Sequence, residues 1–560
     1  MADKVGGFIS KIQFNNGETV DVNKNDIVVF VGPNNAGKSQ SLKDIYALAQ
    51  EPVQRTVITS IEITKNTPDL TPLLDTLDTP KSESDYKEYV IMGKSIRIRD
   101  YTEKDFHTRD TYGTLRDIFV ANLDTTARLN ICTPAINIAR NAPKKHPIHY
   151  AAFNQRYGKW LSENYKKAFG ENLIANTLFG GEIPLCIGDS IKLSDTQDFQ
   201  TAIYNGAETL ETYKQVQTQG DGIKSFTGIL LYLMLDYYCT FLIDEPESFL
   251  HPPQANIMGR IIGETLSDDQ QAFISTHSED IIKGLLSVCP ARIKIIRITR
   301  DNNINNFSVL GNENFDDVWN DPLLKYSNIM SSLFHQHVIL CESDSDCKLY
   351  SIIESHLKRK EGKYSEILYI HCGGKHRMAK IAKALKMLNI DTKLIPDIDV
   401  LNDEKVFRGI VEAFGIEWAS IESKYKIIVG NLHSTKETVK RSEVSAVIEQ
   451  VLSSSKNDTL SKKEIETIKE ALKTVSKWAS LKEFGTNAIP RGEATIAFDC
   501  MNSALKEHGI YIVPVGELEC FIKEVGGHGP DWVNMVLEKY PDLDDPVYED
   551  ITKFIMSINL

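Results

Sequence analysis

The run Gly32-Pro33-Asn34-Asn35-Ala36-Gly37-Lys38-Ser39 has residue types and spacing that specify a chemistry. It follows the apolar run Ile27–Val31 and precedes a helix-like stretch, Ser41–Ala49. Glycines at this spacing let backbone N–H groups curl around phosphate oxygens at a helix N-terminus, where the helix dipole favours anions. Lys38 then reaches the outer phosphates, and the Ser39 hydroxyl ligates a magnesium ion. The residues expected at a bound nucleotide are Asn34, Asn35, Ala36, Gly37, Lys38, Ser39 and Gln40.

A second element belongs with the first. Thr240–Ile243 reads as an apolar strand that ends in Asp244-Glu245-Pro246-Glu247. Asp244 would hold the metal through water and Glu245 would polarise an attacking water. The strand Ala272–Ser275 ends in Thr276-His277-Ser278, and Thr218–Ser225 opens a helix with Gly220 and Gly222.

The C-terminal half carries a different pattern. The strand Val338–Cys341 ends at Glu342, with Asp344 and Asp346 close behind. The strand Leu394–Pro396 ends in Asp397-Ile398-Asp399, and Tyr511–Val515 is followed by Glu517 and Glu519. Acids at the C-terminal ends of successive α/β strands gather on one sheet edge. Clustered carboxylates repel unless a cation neutralises them, so Mg²⁺ or Mn²⁺ is the expected occupant. Two such ions can activate water and stabilise the leaving oxygen of a phosphodiester. For any one acidic strand end, simple solvation remains the ordinary explanation; the order of all of them favours a metal site.

These residues need elements to hold them. Runs such as Phe8–Phe14, Ile27–Val31 and Val57–Ile63, then Phe241–Ile243, Gln271–Ile274 and Ile293–Ile298, alternate with helix-like text. That alternation indicates an α/β core with parallel strands. Thr102–Lys192 is polar and reads as a helical insertion, and the Asn- and Asp-rich stretch Asn302–Asn320 reads as a boundary. A second α/β pattern runs through His337–Cys341, Ile367–Ile370, Thr392–Pro396 and Ile510–Val515, with a helical insertion at Thr435–Glu483. The expected domains are residues 1–330, with an insertion at 102–192, and residues 335–560, with an insertion at 435–483.

Composition bounds the possibilities. The chain has 560 residues, 63 Lys+Arg against 77 Asp+Glu, a net charge of −14 and 42% hydrophobic residues. This is the balance of a folded globular protein, which excludes a disordered or collagen-like chain and a small disulfide scaffold. The acidity argues against a generally basic nucleic-acid coat, while leaving room for a local basic groove. The 9 cysteines contain no CxxC pair and read as reduced thiols. Met1–Ser10 lacks a leader pattern, and Phe226–Ile243 is interrupted by Asp236, so a cytoplasmic protein outside the membrane is expected. A zinc site at Cys341, Cys347, His371, Cys372 and His376 is disfavoured, because the paired short loops of structural zinc sites are missing. Basic residues in Lys358–Lys360, Lys375–Arg377 and Lys380 are expected beside the acidic site, where they could hold a phosphate backbone.

The Asn34-Asn35 wording, Asp244–Glu247, Leu250-His251-Pro252 and Ser275–Ser278 resemble the ABC-type ATPase heads of SMC, RecF and OLD (overcoming lysogenisation defect) proteins. The resemblance implies ATP sandwiched between two heads, hence a homodimer or higher homo-oligomer. It also implies a γ-phosphate-sensing role for His277 and a signature-loop role for Gly220 and Gly222, although the usual Leu-Ser-Gly-Gly-Gln wording is absent. Arg140 is similarly placed to an arginine that follows an apolar stretch in these heads.

Glu342, Asp346 and Asp397-Ile398-Asp399, with Ile370–Lys375 before a helix, resemble the Toprim fold in its OLD-nuclease version. Ser343 stands where that pattern usually has glycine. The resemblance implies catalytic Glu342, Asp346, Asp397 and Asp399, a later acid for which Glu519 is preferred over Glu517, and a transition-state lysine, Lys523 or Lys506. The implied whole is an ATP-regulated, Mg²⁺- or Mn²⁺-dependent DNA endonuclease. Its metal ligands would be Ser39, Glu342, Asp346, Asp397, Asp399 and Glu519, and its catalytic set Glu245, His277, Glu342, Asp346, Asp397, Asp399 and Lys523. Anti-phage defence is the expected setting, with a Gabija-type helicase or a retron reverse transcriptase and its RNA/DNA as companions. The alternative is an SMC- or RecF-like clamp or scaffold with a degenerate Toprim domain. A primase- or topoisomerase-like activity is weaker, since no catalytic-tyrosine domain or primase zinc module is visible.

Overall fold

The computed structural model describes residues 5–66, 87–91, 94–98, 108–189, 198–310, 329–433, 441–454, 459–472 and 477–558, with Leu70 and Phe106. The chain divides into two compact units, Met1–Asp317 and Val318–Leu560.

In the first unit, strands β1 (Gly7–Phe14), β2 (Thr19–Asp21) and β4 (Ile58–Lys65) form an antiparallel sheet in the order β2-β1-β4. Burial along β1 largely alternates, as expected of a strand with one face on the core. The central sheet is larger. It contains β3 (Ile27–Val31), β5 (Val120–Leu123), β6 (Thr240–Asp244), β7 (Gln271–Ser275), β8 (Ile293–Asp301) and β9 (Ile304–Leu310), in the order β9-β8-β3-β7-β6-β5. All neighbours are parallel except β8 and β9. Both β3 and β7 are buried along their whole length, because helices cover both faces of such a sheet. Around it lie α1 (Lys38–Leu48), α2 (Asp221–Leu233), α3 (Pro252–Thr265) and α4 (Glu279–Leu286).

Two expectations differ here. Thr102–Lys192 is mixed rather than helical: it holds helices such as Gln155–Phe169, but also the edge strand β5 and the short strands Leu173–Ala175 and Leu185–Ile187. Residues 102–105, 107 and 190–192 lie outside the described residues. The run Val120–Leu123 is too short for its apolar pattern to distinguish strand from helix, and pairing with β6 decides it. The division after Asp317 falls inside Asn302–Asn320, where a boundary is expected, but Ile304–Leu310 within that stretch is strand β9; residues 311–320 lie outside the described residues. Asn305 of this strand is 2% exposed and works inside the fold.

The second unit is built on β10 (His337–Cys341), β11 (Ile367–His371) and β12 (Asp391–Ile395), parallel in the order β11-β10-β12. Ile510–Val515 is not a full strand. It runs beside β12 through a single parallel bridge, Leu394 to Ile510, and through hydrogen bonds such as Tyr511 N to Leu394 O (2.8 Å) and Val513 N to Pro396 O (3.1 Å). The helices that matter here are α5 (Asp344–Lys360), α6 (Lys375–Met387), α7 (Lys477–Phe484) and α8 (Gly529–Lys539). The described parts of Thr435–Glu483 are helical (Arg441–Ser454, Lys462–Leu472 and most of α7); residues 435–440, 455–458 and 473–476 fall outside them.

Candidate nucleotide and metal sites

The phosphate loop joins β3 to α1. Gly32 has φ of +140°, and a Cβ there would lie 2.0 Å from the backbone oxygen of Ile298 on β8. Gly37 has φ of +101° and Asn35 φ of +60°, so the loop turns through left-handed conformations that open its N–H groups. Asn305 of β9 fastens the loop from outside, donating from Nδ2 to Ala36 O at 2.7 Å. Lys38 is 5% exposed, and its Nζ donates to Gly32 O (2.9 Å) and Pro33 O (2.7 Å). Burial lowers the Lys38 pKa to about 8, opposed by Glu245, Glu247 and Asp244.

Sheet register brings the other predicted residues to the same edge. Asp244 stands opposite Ser275, whose hydroxyl donates to Asp244 Oδ1. Glu245 has φ of +47°, and its Oε1 lies 3.8 Å from His277 Nε2. Burial, then the Lys38 charge, lowers the His277 pKa, while Glu245 and Asp244 oppose that shift. The His277 N–H donates to Glu247 Oε1 at 2.7 Å. Gly220 precedes α2, and a Cβ on Gly222 would lie 2.5 Å from Phe249 O, so a glycine is needed for the close approach of α2 to the chain after Asp244-Glu245.

Sequence reasoning missed the arginine at this edge. Arg140 is exposed. Arg128, fully buried, donates from Nη1 to Asp244 O and from Nη2 to Thr125 Oγ1 (3.3 Å). No motif surrounds it. Its signal was the helix start at Asp124, whose side chain caps Ala127 N and so sets the arginine one turn into the helix.

In the second unit the acidic segments meet. Glu342 directly follows β10 and lies against the Gly373-Gly374 turn, with Gly374 N donating to Glu342 O at 3.1 Å. Asp346 sits in the first turn of α5, where Ser343 N donates to its Oδ2 at 2.8 Å and Ser343 Oγ accepts from Asp346 N at 3.3 Å. That reciprocal cap fixes the helix start directly behind the β10 end. Asp397 and Asp399 follow β12, and Ile398 N donates to Gly516 O (3.1 Å), which ties the Glu517–Glu519 segment to them.

Lys375 Nζ and Lys482 Nζ each lie 3.1 Å from Asp399 Oδ2, and Lys482 reaches Glu517 Oε2 at 3.6 Å. Glu519 Oε1 accepts from Gly529 N at 2.8 Å and lies 3.9 Å from His528 Nδ1. Among the described residues, Glu517, Glu519 and His528 bring one potential ligand atom each to within 4.8 Å of one another. The sequence reading did not include His528, since a histidine in a glycine-rich turn carries no motif.

Crowding leaves its mark on the acids. Burial, followed by the charges of Asp346, Glu342, Asp399 and Glu517, raises Asp397 well above the carboxylate range. Burial raises Asp346 to about 6 against its Ser343 bonds, with Glu519 adding to the rise. Glu342 is raised by burial and then by Asp399, with Lys375 opposing. Two buried oxygens, Glu342 Oε2 and Asp399 Oδ1, have no hydrogen-bond partner among the described residues. Carboxylates with these properties suit a divalent cation, which would supply the missing charge and ligation.

Two basic expectations change. Lys523 is exposed, and it donates to Glu483 O at 2.8 Å and lies over the Phe484 ring rather than reaching a carboxylate of this site. Lys506 is also exposed, on the helix Glu493–Glu507. Lys358–Lys360 close the far end of α5, roughly 24 Å from its start at 1.5 Å per residue, and Lys360 pairs with Asp544. All nine cysteines are free; Cys341, Cys347 and Cys372 are buried while His371 and His376 are exposed.

Residues 333–399 match a family model described as overcoming lysogenization defect protein-like, TOPRIM domain. The Old nuclease of Escherichia phage P2 is 23% identical over 167 residues, which span 29% of this chain and 28% of that protein. An SMC head bound to the C-winged helix domain of ScpA is 14% identical and covers 55% of this chain and 99% of its own, with a TM-score of 0.33. An Smc head with an extended coiled coil, bound to the C-terminal domain of ScpA and derived from Pyrococcus furiosus, is 13% identical and covers 56% and 99%, with a TM-score of 0.32. Among the described residues, no helix is long and apolar enough to cross a membrane.

Proposed function

We propose that this chain, which joins a P-loop ATPase domain to a Toprim domain of the OLD type, is a metal-dependent DNA endonuclease under ATP control. The observation that carries the nuclease reading is the meeting of Glu342, Asp346, Asp397, Asp399, Glu517 and Glu519 at one edge, with Glu342 Oε2 and Asp399 Oδ1 buried and unpartnered among the described residues. A divalent cation bound there, Mg²⁺ or Mn²⁺, would acidify a water and stabilise the departing oxygen. The chain's own residues do the rest. Glu342, Asp346, Asp397 and Asp399 hold the cation, with Glu519 and His528 at the outer side. Lys482, rather than Lys523, faces the negative charge that grows on the scissile phosphate, and Lys375 holds Asp399 in place.

In the ATPase domain, the loop Asn34–Gln40 wraps the phosphates and Lys38 exchanges its two carbonyl partners for phosphate oxygens. Ser39 and Asp244 hold Mg²⁺ there, Glu245 orients the attacking water and His277 senses the outer phosphate. Gly220 and Gly222, at the start of α2, would meet a nucleotide bound by a second copy, so ATP favours a homodimer. The control of cleavage by ATP rests on the covalent union of both sites in one chain. Defence against phage, with a helicase or reverse-transcriptase companion, is the setting that the OLD-type Toprim domain suggests.

The test uses purified full-length protein with plasmid, linear and single-stranded DNA, Mg²⁺ or Mn²⁺, with and without ATP. Cleavage should require the metal, and Glu342→Ala and Asp397→Ala should each abolish it while ATP binding persists. Undiminished cleavage in both variants would overturn the metal-site assignment, whereas no cleavage by the wild type under any of these conditions would favour a clamp or scaffold.

A further inference from the structure

Tyr350 lies one helical turn beyond Asp346 on α5, so the two side chains share a face. It is 1% exposed, and its hydroxyl is buried without a hydrogen-bond partner among the described residues. The ring belongs to the same core cluster as Cys341, Ile395, Tyr511 and Leu518, and lies tilted at 54° to Phe554 with 6.0 Å between centroids. Those members of the cluster lie on the segments that carry Glu342, Asp397 and Glu517–Glu519. The ionisable groups that act on the hydroxyl, after burial itself, are Asp346, Asp397, Cys341 and Glu519. A phenylalanine would fill the same space without burying an unmatched polar group, and such a group costs free energy unless something pairs with it.

We propose that Tyr350 is a positioning residue of the carboxylate site, its hydroxyl donating to a water carried by the divalent cation that these carboxylates hold. This rests on the metal-dependent reading above. The hydroxyl then fixes the orientation of that water without touching the substrate, and the carboxylates supply the other partners that a buried water needs. Tyr369 provides a matched control. Its hydroxyl is also buried and unpartnered among the described residues, but the ionisable groups that act on it are Glu354, Cys341 and Cys347.

The experiment measures Mn²⁺ binding to the full-length protein without nucleotide, by electron paramagnetic resonance and calorimetry, for wild type, Tyr350→Phe and Tyr369→Phe. Tyr350→Phe should weaken Mn²⁺ about tenfold, or ~1.4 kcal/mol, and shift the Mn²⁺ dependence of DNA cleavage by the same factor, with the unfolding temperature unchanged or raised. Tyr369→Phe should leave Mn²⁺ affinity at the wild-type value. If Tyr350→Phe binds Mn²⁺ as wild type does, the Tyr350 assignment is overturned and the metal site stands. If wild type itself binds no Mn²⁺ and cleaves no DNA, the metal-dependent reading fails and this proposal fails with it.

Discussion

Lys482 holds its ammonium 3.1 Å from Asp399 Oδ2, so a helix within the expected helical insertion delivers a cation to the carboxylate edge. Burial works against that charge, but Asp399, then Glu517 and Asp397, outweigh it and keep the Lys482 pKa above the ordinary ammonium value. Lys523, the lysine suggested by its place after the last acidic motif, is held instead at Glu483 O.

The two lysines therefore separate in a kinetic test. Lys482→Met should lower the cleavage rate by about 10²–10³, the usual cost of removing one preorganised donor from a developing charge. Lys523→Met should stay within roughly threefold of wild type, because its contacts are to a backbone carbonyl and a ring. A larger loss in Lys523→Met than in Lys482→Met would return the role to Lys523.

The carboxylate site should show a defined pH response. Asp346 titrates at about 6 in the fold against an ordinary 3.8, so the unfolded chain gives up this proton first. Without a cation, the group thus removes stability as pH rises from about 4 through about 6. A bound cation needs ionised ligands and reverses the sign. Calorimetric scans should find that Mn²⁺ raises the melting temperature of the second unit much more near pH 7.5 than near pH 5. An equal rise at both would contradict the placement of Asp346 at the cation.

Lys38 carries a second pH signature. Its depressed value, about 8, means that its charged form is penalised in the empty fold below that pH, and the penalty fades as pH climbs toward 10.5. Phosphate charge favours the protonated amine, so ATP binding above pH 8 should take up a proton. Affinity should then fall by up to about tenfold per pH unit. Titration calorimetry in buffers of different ionisation enthalpy reads the proton directly, and Lys38→Met should abolish both binding and uptake.

Gly32 tests the strut behind the loop. A methyl at this position would meet the Ile298 carbonyl at 2.0 Å with φ at +140°, and neither backbone can retreat without breaking the β3–β8 pairing. Gly32→Ala should cost about 2–4 kcal/mol and displace the loop. The readouts are a lower urea midpoint and lost ATP binding. Unaltered stability would show that β8 does not confine the loop.

Much of both sites is legible from residue order. Parallel buried strands announce themselves as short unbroken apolar runs, and the chemistry of such sheets sits at their C-terminal ends. Thus Ile27–Val31 before the loop, Thr240–Ile243 before Asp244 and Val338–Cys341 before Glu342 locate their acids and phosphates without further help. The same logic fails at Val120–Leu123, whose four residues join the sheet by pairing with β6, and at Ile304–Leu310, whose asparagines hide a strand.

By itself, then, the sequence determined the phosphate loop, the acidic strand ends and the succession of two α/β units, because each depends on residues that are neighbours in the chain. Only the tertiary structure decided that Arg128, Asn305, Lys482 and His528 belong to these sites and that Lys523 reaches elsewhere. The reason is physical. Sheet register and helix packing bring together groups from separate segments, and no local pattern encodes which lysine a folded edge will meet. The raised acids beside Asp397 follow from the same convergence, since burial and mutual repulsion exist only once the strands have been placed side by side.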